Sequence, residues 1–156
     1  MSRSGVKWDH RYLNMARLVA SWSKDPSTKC GAVIVSSDNA IVSLGFNGFP
    51  PNVKDHADRL NDRETKLMMT LHAETNAILF AKQTLKDCTM YTWPMQACSQ
   101  CAAMMIQAGI TQHVSVMNEN DRWAKSWKLA DLMFNEAGIT QYFYHPSFLE
   151  RKYESI

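Results

Sequence analysis

Two short runs in this chain bring together residues able to hold a metal ion and move a proton. His72 is followed two residues later by Glu74, and Cys98 is followed three residues later by Cys101. Each run opens a segment that reads as a helix, just after a loop or a strand. Residues three apart on a helical turn face the same side, so the thiols of Cys98 and Cys101 converge. A helix start carries unpaired N–H groups and the positive end of the dipole, which favours thiolate over thiol. Thiolates bind zinc, and one imidazole nitrogen from His72 brings the protein ligands to three. A tetrahedral ion held this way leaves its fourth position to water, the pattern of a catalytic rather than a structural site. The pKa of such a water falls to about 7. Glu74 lies too far round the helix from His72 to share its ligand direction comfortably, and instead suits a proton carrier beside that water.

Taken singly, each residue has a plainer reading. His72 could be a structural histidine, Glu74 a solvated helix residue, and Cys98 with Cys101 a redox pair or half of a structural zinc site. Their combination outweighs these readings. A His-x-Glu, a following strand and a Cys-x-x-Cys opening the next helix form the signature of zinc-dependent nucleobase deaminases.

The elements that must position these residues can be read from periodicity. Trp8, Tyr12, Met15, Ala16 and Val19 recur at helical spacing, predicting a first helix that ends near Lys24 before Asp25-Pro26-Ser27. Residues 31–36 and 40–44 are β-branched runs around Ser37-Asp38-Asn39, a hairpin signal. Residues 45–51 read as a loop by composition, which the polar stretch to Arg63 extends. Helix is then predicted over 72–83, strand over 88–92, helix over 98–108, strand over 113–117, helix over 122–137 and strand over 140–144. Gly109 and Gly138 stand where helix C-caps favour glycine. A hairpin followed by β-α-β-α-β implies an α/β fold: a three-layer α/β/α sandwich around a mixed sheet of five strands, with right-handed parallel crossovers.

Bulk properties narrow the field further. The 156 residues suit a single domain spanning 1–156, and 46% hydrophobic content is enough to bury a core. A net charge of +2 with no basic stripe argues against a nucleic-acid-binding module. No apolar run has membrane-spanning length, and the opening Met-Ser-Arg-Ser-Gly-Val-Lys lacks the apolar stretch of a secretory signal. A cytoplasmic location follows as the expectation. In a reducing compartment the close cysteine pair reads as a metal or redox site, and Cys30 and Cys88 as buried apolar thiols.

At this level of detail the chain resembles the deoxycytidylate (dCMP) deaminase family, within the cytidine deaminase-like superfamily, over nearly its whole length. The resemblance is carried by Trp8-Asp9, Ser23-Lys24-Asp25-Pro26, Cys30-Gly-Ala-Val-Ile-Val35 and Gly45-Phe-Asn-Gly48. It continues through His72-Ala-Glu-Thr-Asn-Ala-Ile78, Cys98-Ser-Gln-Cys-Ala102, Ile106-Gln-Ala-Gly-Ile110 and Leu132-Met-Phe-Asn-Glu-Ala-Gly-Ile139. The zinc motifs are shared across the superfamily; the loops at Ser23–Pro26 and Gly45–Gly48 point to deoxycytidylate. The resemblance implies zinc-dependent hydrolysis of dCMP to dUMP and ammonia, supplying dUMP for thymidylate synthesis. It makes His72, Cys98 and Cys101 the zinc ligands and Glu74 the proton shuttle between water, ring nitrogen 3 and the departing amine. Phe46, Asn47 and Gly48 fall in a loop associated with nucleotide or effector binding, with Phe46 at the family's tyrosine; Asn47 reads equally as a turn residue in a left-handed conformation. Lys24 is a candidate for a substrate or effector phosphate, or simply a solvated lysine. The family also implies a hexamer activated by dCTP with Mg²⁺ and inhibited by dTTP.

Two departures stand out. The family normally places proline directly before the first cysteine, whereas this chain has Ala97 there and its proline at Pro94. Residues 93–97 are therefore expected to take a different path into the metal site. Some members also carry a structural zinc held by cysteines and histidines before the catalytic histidine. Between Phe49 and Leu71 this chain has His56 and no cysteine, so one zinc per chain is expected.

Two other classes of function compete. A deaminase of cytosine or adenine in a polynucleotide would need a basic, aromatic groove. Trp123, Trp127, Lys125 and Lys128 could supply one, although a helix face packed in an oligomer explains them more simply. Met68, Met69, Met104 and Met105 likewise read as core or subunit contacts. A zinc-stabilised binding domain or a thiol redox protein is the third reading, and Glu74 argues against it.

Overall fold

Val33, Val35 and Tyr91 belong to one apolar cluster, while Ala32, Ile34 and Met90 belong to another. Side chains alternate between the faces of a strand, so a sheet with a core on each side follows. The computed structural model describes residues 5–152. Residues 1–4, part of the opening segment in which no secretory signal was found, lie outside the described residues.

The sheet is mixed and five-stranded, in the order β2-β1-β3-β4-β5, where β1 is Gly31–Val35, β2 Ile41–Phe46, β3 Thr89–Trp93, β4 Gln112–Val116 and β5 Thr140–Tyr144. β1 pairs antiparallel with both β2 and β3, and β3, β4 and β5 run parallel. One face is covered by α1 (Val6–Ala20) and the 3₁₀ turn Pro146–Glu150, through Tyr12, Leu13, Ala16, Phe148 and Leu149. The other is covered by α4 (Ala73–Phe80), α5 (Ser99–Gln107) and α6 (Asp121–Glu136), through Ala73, Ala77, Met105, Ala130 and Phe134. The layered α/β arrangement expected from the sequence is thus present. No helix among the described residues is long and apolar enough to cross a membrane.

Several boundaries differ from the sequence expectation. α1 stops at Ala20 rather than Lys24. Ser23 is drawn away to donate its hydroxyl to the Asn47 carbonyl at 2.8 Å, and Asp25 Oδ1 accepts the Ser27 and Thr28 N–H groups. Such side-chain turns compete with helix for the same backbone donors. α4 ends at Phe80, three residues before the expected Gln83. Gly45, read as the first loop residue, lies inside β2. A Cβ there would come within 2.5 Å of Ala73 O and Ala77 N, and one at Gly31 within 2.0 Å of Ala16 O. Glycine at these sites lets α4 press against one face of the sheet and α1 against the other. The stretch read as loop up to Arg63 contains α2 (Ala57–Asn61), followed by α3 (Arg63–Met69). Neither buries an apolar residue, so neither leaves the apolar period by which helices are recognised.

Candidate active site

His72 is the N-cap of α4 and Cys98 the N-cap of α5; Glu74 and Cys101 lie in the first turns that follow. Both helix starts meet at the end of the sheet where β1 and β3 are neighbours. His72 Nδ1 lies 3.4 Å from Cys98 Sγ and 3.4 Å from Cys101 Sγ, and the three donor atoms fall within 4.8 Å of one another. Zn–N bonds of 2.0–2.1 Å and Zn–S bonds of 2.3 Å at tetrahedral angles put N and S about 3.5 Å apart. The donor set therefore fits a zinc ion in both chemistry and spacing.

The charges of this cluster are interdependent. The Cys98 thiol is lowered to about 4, first by its hydrogen bond with Cys101 and then by those from His72 and the Cys101 backbone N–H. Cys101 is raised, because the shared proton stays with it and because it is buried near Glu74. The His72 imidazole is raised by its bond to Cys98 against the opposing effect of burial. Burial also pushes the Glu74 carboxyl above its ordinary value, with His72 pulling the other way. A buried carboxyl of this kind can hold a proton closer to neutral pH and pass it on.

His72, Glu74 and Cys98 line the floor of an open cleft, with Cys101 beside them. Its walls include Thr28, Cys30, Asn47, Gln96, Trp123 and Trp127. Asn47 is buried and belongs to a network rather than a left-handed turn. Its Oδ1 accepts the Cys30 N–H at 2.8 Å, and its Nδ2 donates to the Thr28 carbonyl at 2.9 Å and weakly to Asp25 at 3.4 Å. Asp25 in turn holds Lys66 Nζ at 2.9 Å, with both side chains almost fully buried. Cys30, expected to be buried, is only half-buried and faces the cleft; burial and the nearby Glu74 push its thiol up to about 12.

The remaining residues singled out from the sequence lie elsewhere. Lys24 is exposed and paired with Asp55 at 2.7 Å, away from the cleft lining. Phe46 and Gly48 line a separate groove with Phe49, Pro50, Pro51 and Phe80. Of the neighbours Phe46, Asn47 and Gly48, Asn47 alone lines the cleft, and Phe46 is the last residue of β2 rather than part of a loop. Sequence reasoning missed Arg63, Lys66 and Arg122, all of which line the cleft. Arg63 and Arg122 are exposed and make no ion pair among the described residues. A signal did exist: Arg63 and Lys66 are spaced i, i+3 shortly before His72, where one helical face would bring both to the same place. Trp123 and Trp127 both line the cleft. Trp127 is buried, and Trp123 sets its ring edge-on to His72, with centroids 5.9 Å apart at 83°.

Residues 6–117, which contain all three metal-type ligands and Glu74, match the family model of the cytidine and deoxycytidylate deaminase zinc-binding region. The chain belongs to this family. Among similar members of the deaminase family, the "Uncharacterized deaminase in luxG 3'region" of Aliivibrio fischeri is 47% identical over 136 residues, covering 85% of this chain and 90% of that protein. Human deoxycytidylate deaminase is 37% identical over 141 residues, covering 86% of this chain and 78% of the human protein. The fold matches that of the dCMP deaminase of cyanophage S-TIM5 with a TM-score of 0.70 at 20% identity, over 90% of this chain and 99% of the other. The five-stranded mixed sheet is thus the fold of a structurally known deaminase.

Proposed function

We propose that this chain is a dCMP deaminase, a single catalytic domain over residues 1–156 that converts dCMP and water to dUMP and ammonia. The observation that carries the reading is the arrangement of the cleft: His72, Cys98 and Glu74 line it with Cys101 beside them, and the exposed Arg63 and Arg122 line it too, with the buried Lys66 behind. The floor suits hydrolysis at a nucleobase, and two free guanidiniums suit a phosphate. Likeness to deoxycytidylate deaminases at 37% identity supports the same substrate.

His72, Cys98 and Cys101 would hold one zinc ion, which when bound supplies a water acidic enough to ionise near neutral pH. Glu74 takes a proton from the attacking water and delivers it to ring nitrogen 3 while oxygen bonds to carbon 4. It then carries the second proton of that water to the amine, and the C–N bond breaks to release ammonia. Trp123 and Trp127 wall the base in, and Asn47 holds the cleft-lining Thr28 and Cys30 in place. Arg63 and Arg122 grip the 5′-phosphate, so a monophosphate is preferred over the nucleoside.

The regulatory reading rests on family likeness: a cytoplasmic hexamer, activated by dCTP with Mg²⁺ and inhibited by dTTP. The groove lined by Phe46 and Gly48 offers an effector a place outside the cleft. An ultraviolet assay of dCMP, dCTP, deoxycytidine and a cytosine-containing oligonucleotide, with and without added dCTP or dTTP, tests both readings. Selective conversion of dCMP is the expected result. Conversion of the oligonucleotide alone would overturn the substrate, and flat activity with effectors would remove the regulation.

A further inference from the structure

We propose that α6 is the positioning element of the metal-ligand frame, acting chiefly through Ser126; the inference rests on the zinc-site reading above. Ser126 Oγ accepts the backbone N–H of Ser99 at 2.8 Å and lies 3.1 Å from Ser99 Oγ. Ser99 is the first residue of α5, and its N–H is one of the donors that a helix start leaves without an internal partner. Cys98 caps this turn and Cys101 completes it, the Cys101 N–H being directed at Cys98 Sγ. Where Ser126 fixes Ser99, it therefore fixes the origin of both sulfurs.

Two further contacts from the same helix reach the frame at other points. One turn before Ser126, Trp123 meets the His72 ring edge-on. On the other side, Asp131 Oδ1 accepts the amide of Gln96 at 2.9 Å, two residues before Cys98. Ala97 lacks the ring that would fix its backbone torsion, so the approach to Cys98 depends on such side-chain ties. Asp131 also accepts the amide of Gln141 at 2.8 Å, whose oxygen faces His113 Nδ1 at 3.0 Å. A carboxylate can only accept, so both amides are oriented with their NH₂ groups towards it. The Gln96 tie is thereby anchored to the sheet through β5 and β4.

Outer contacts of this kind orient metal ligands, and their loss weakens metal binding by about 10- to 100-fold. The test is zinc affinity, measured by competition with a chromogenic chelator, together with the thiolate-to-metal absorption of the Co²⁺-loaded protein. Ser126→Ala is expected to bind zinc about tenfold more weakly and to change the Co²⁺ band, and Ser126→Thr, which keeps the hydroxyl, to restore both. Asp131→Ala is expected to shift affinity in the same direction by less. Ala130→Gly, on the same helix but buried against the sheet, is expected to lower the melting temperature and leave zinc affinity unchanged. Wild-type affinity in both Ser126→Ala and Asp131→Ala would overturn the brace while leaving the zinc site standing. An equal loss of affinity in Ala130→Gly would reduce it to general stability. A wild-type chain that takes up no zinc would overturn the site and the brace together.

Discussion

At the floor of the cleft, four groups stand at the starts of two helices that pack on the sheet; Glu74, Cys98 and Cys101 are buried and His72 is half-buried. At its outer wall, two guanidiniums project from α3 and α6 into solvent, with the buried Lys66–Asp25 pair between fold and cleft. The contrast follows from what each end must do. Breaking a C–N bond requires reacting atoms held to fractions of an ångström, and only a packed frame provides that. Attracting a phosphate requires charge of the right sign, which acts over several ångströms and tolerates mobile side chains. On the proposed reading, chemistry is placed on buried positions of the frame and recognition on exposed ones, whether their helix lies outside the core, as α3 does, or packs into it, as α6 does.

Four measurements would sharpen or break this division. The largest effect is expected at the floor: Glu74→Gln should lower turnover of dCMP by about 10²- to 10⁴-fold, with KM and zinc content unchanged. A raised KM with turnover intact would place Glu74 in binding instead. Next comes the pair that joins the two regions. Lys66→Ala leaves Asp25 buried without its partner and should cost about 3–5 kcal/mol in denaturant unfolding; a loss below about 1 kcal/mol would make the pair equivalent to a surface one. At the outer wall, Arg63→Ala and Arg122→Ala should each raise KM for dCMP about 10- to 100-fold, the equivalent of one charged hydrogen bond. Conversion of deoxycytidine should stay as it was, and a parallel loss there would mean that the arginines support the fold.

The smallest expected effect lies behind the floor, at His113. Burial holds its imidazole down to about 4, against about 6.5 in an unfolded chain. The unfolded state therefore takes up the proton first as pH falls. Stability should drop by about 2 kcal/mol between pH 7 and pH 5, and the contribution is fully lost below about pH 4. Denaturation curves of wild type and His113→Gln across this range provide the check, since identical slopes would remove the assignment.

The floor was legible in the sequence because its information is local. His72 with Glu74, and Cys98 with Cys101, are each set by one helical turn, and the strand and helix periods around them are strong. The outer wall was not, because α3 carries no buried apolar residue from which a helix could be read, and Arg122 approaches only through the packing of α6. Lys24, chosen for its place in a familiar loop, proved to be tied to Asp55. Charge on a loop says little about direction; that is settled by where the nearest opposite charge stands. Trp123 and Trp127 pose a related problem: aromatic residues on a helix face look alike in sequence whether they meet a neighbouring subunit or the wall of a cleft.

Gly31 and Gly45 mark the places where α1 and α4 press closest to opposite faces of the sheet. Any side chain there would push a layer outward, and on the α4 side it would carry His72 and Glu74 with it. At these two positions a hydrogen atom, where other residues carry carbon, is what lets both layers seat on the sheet.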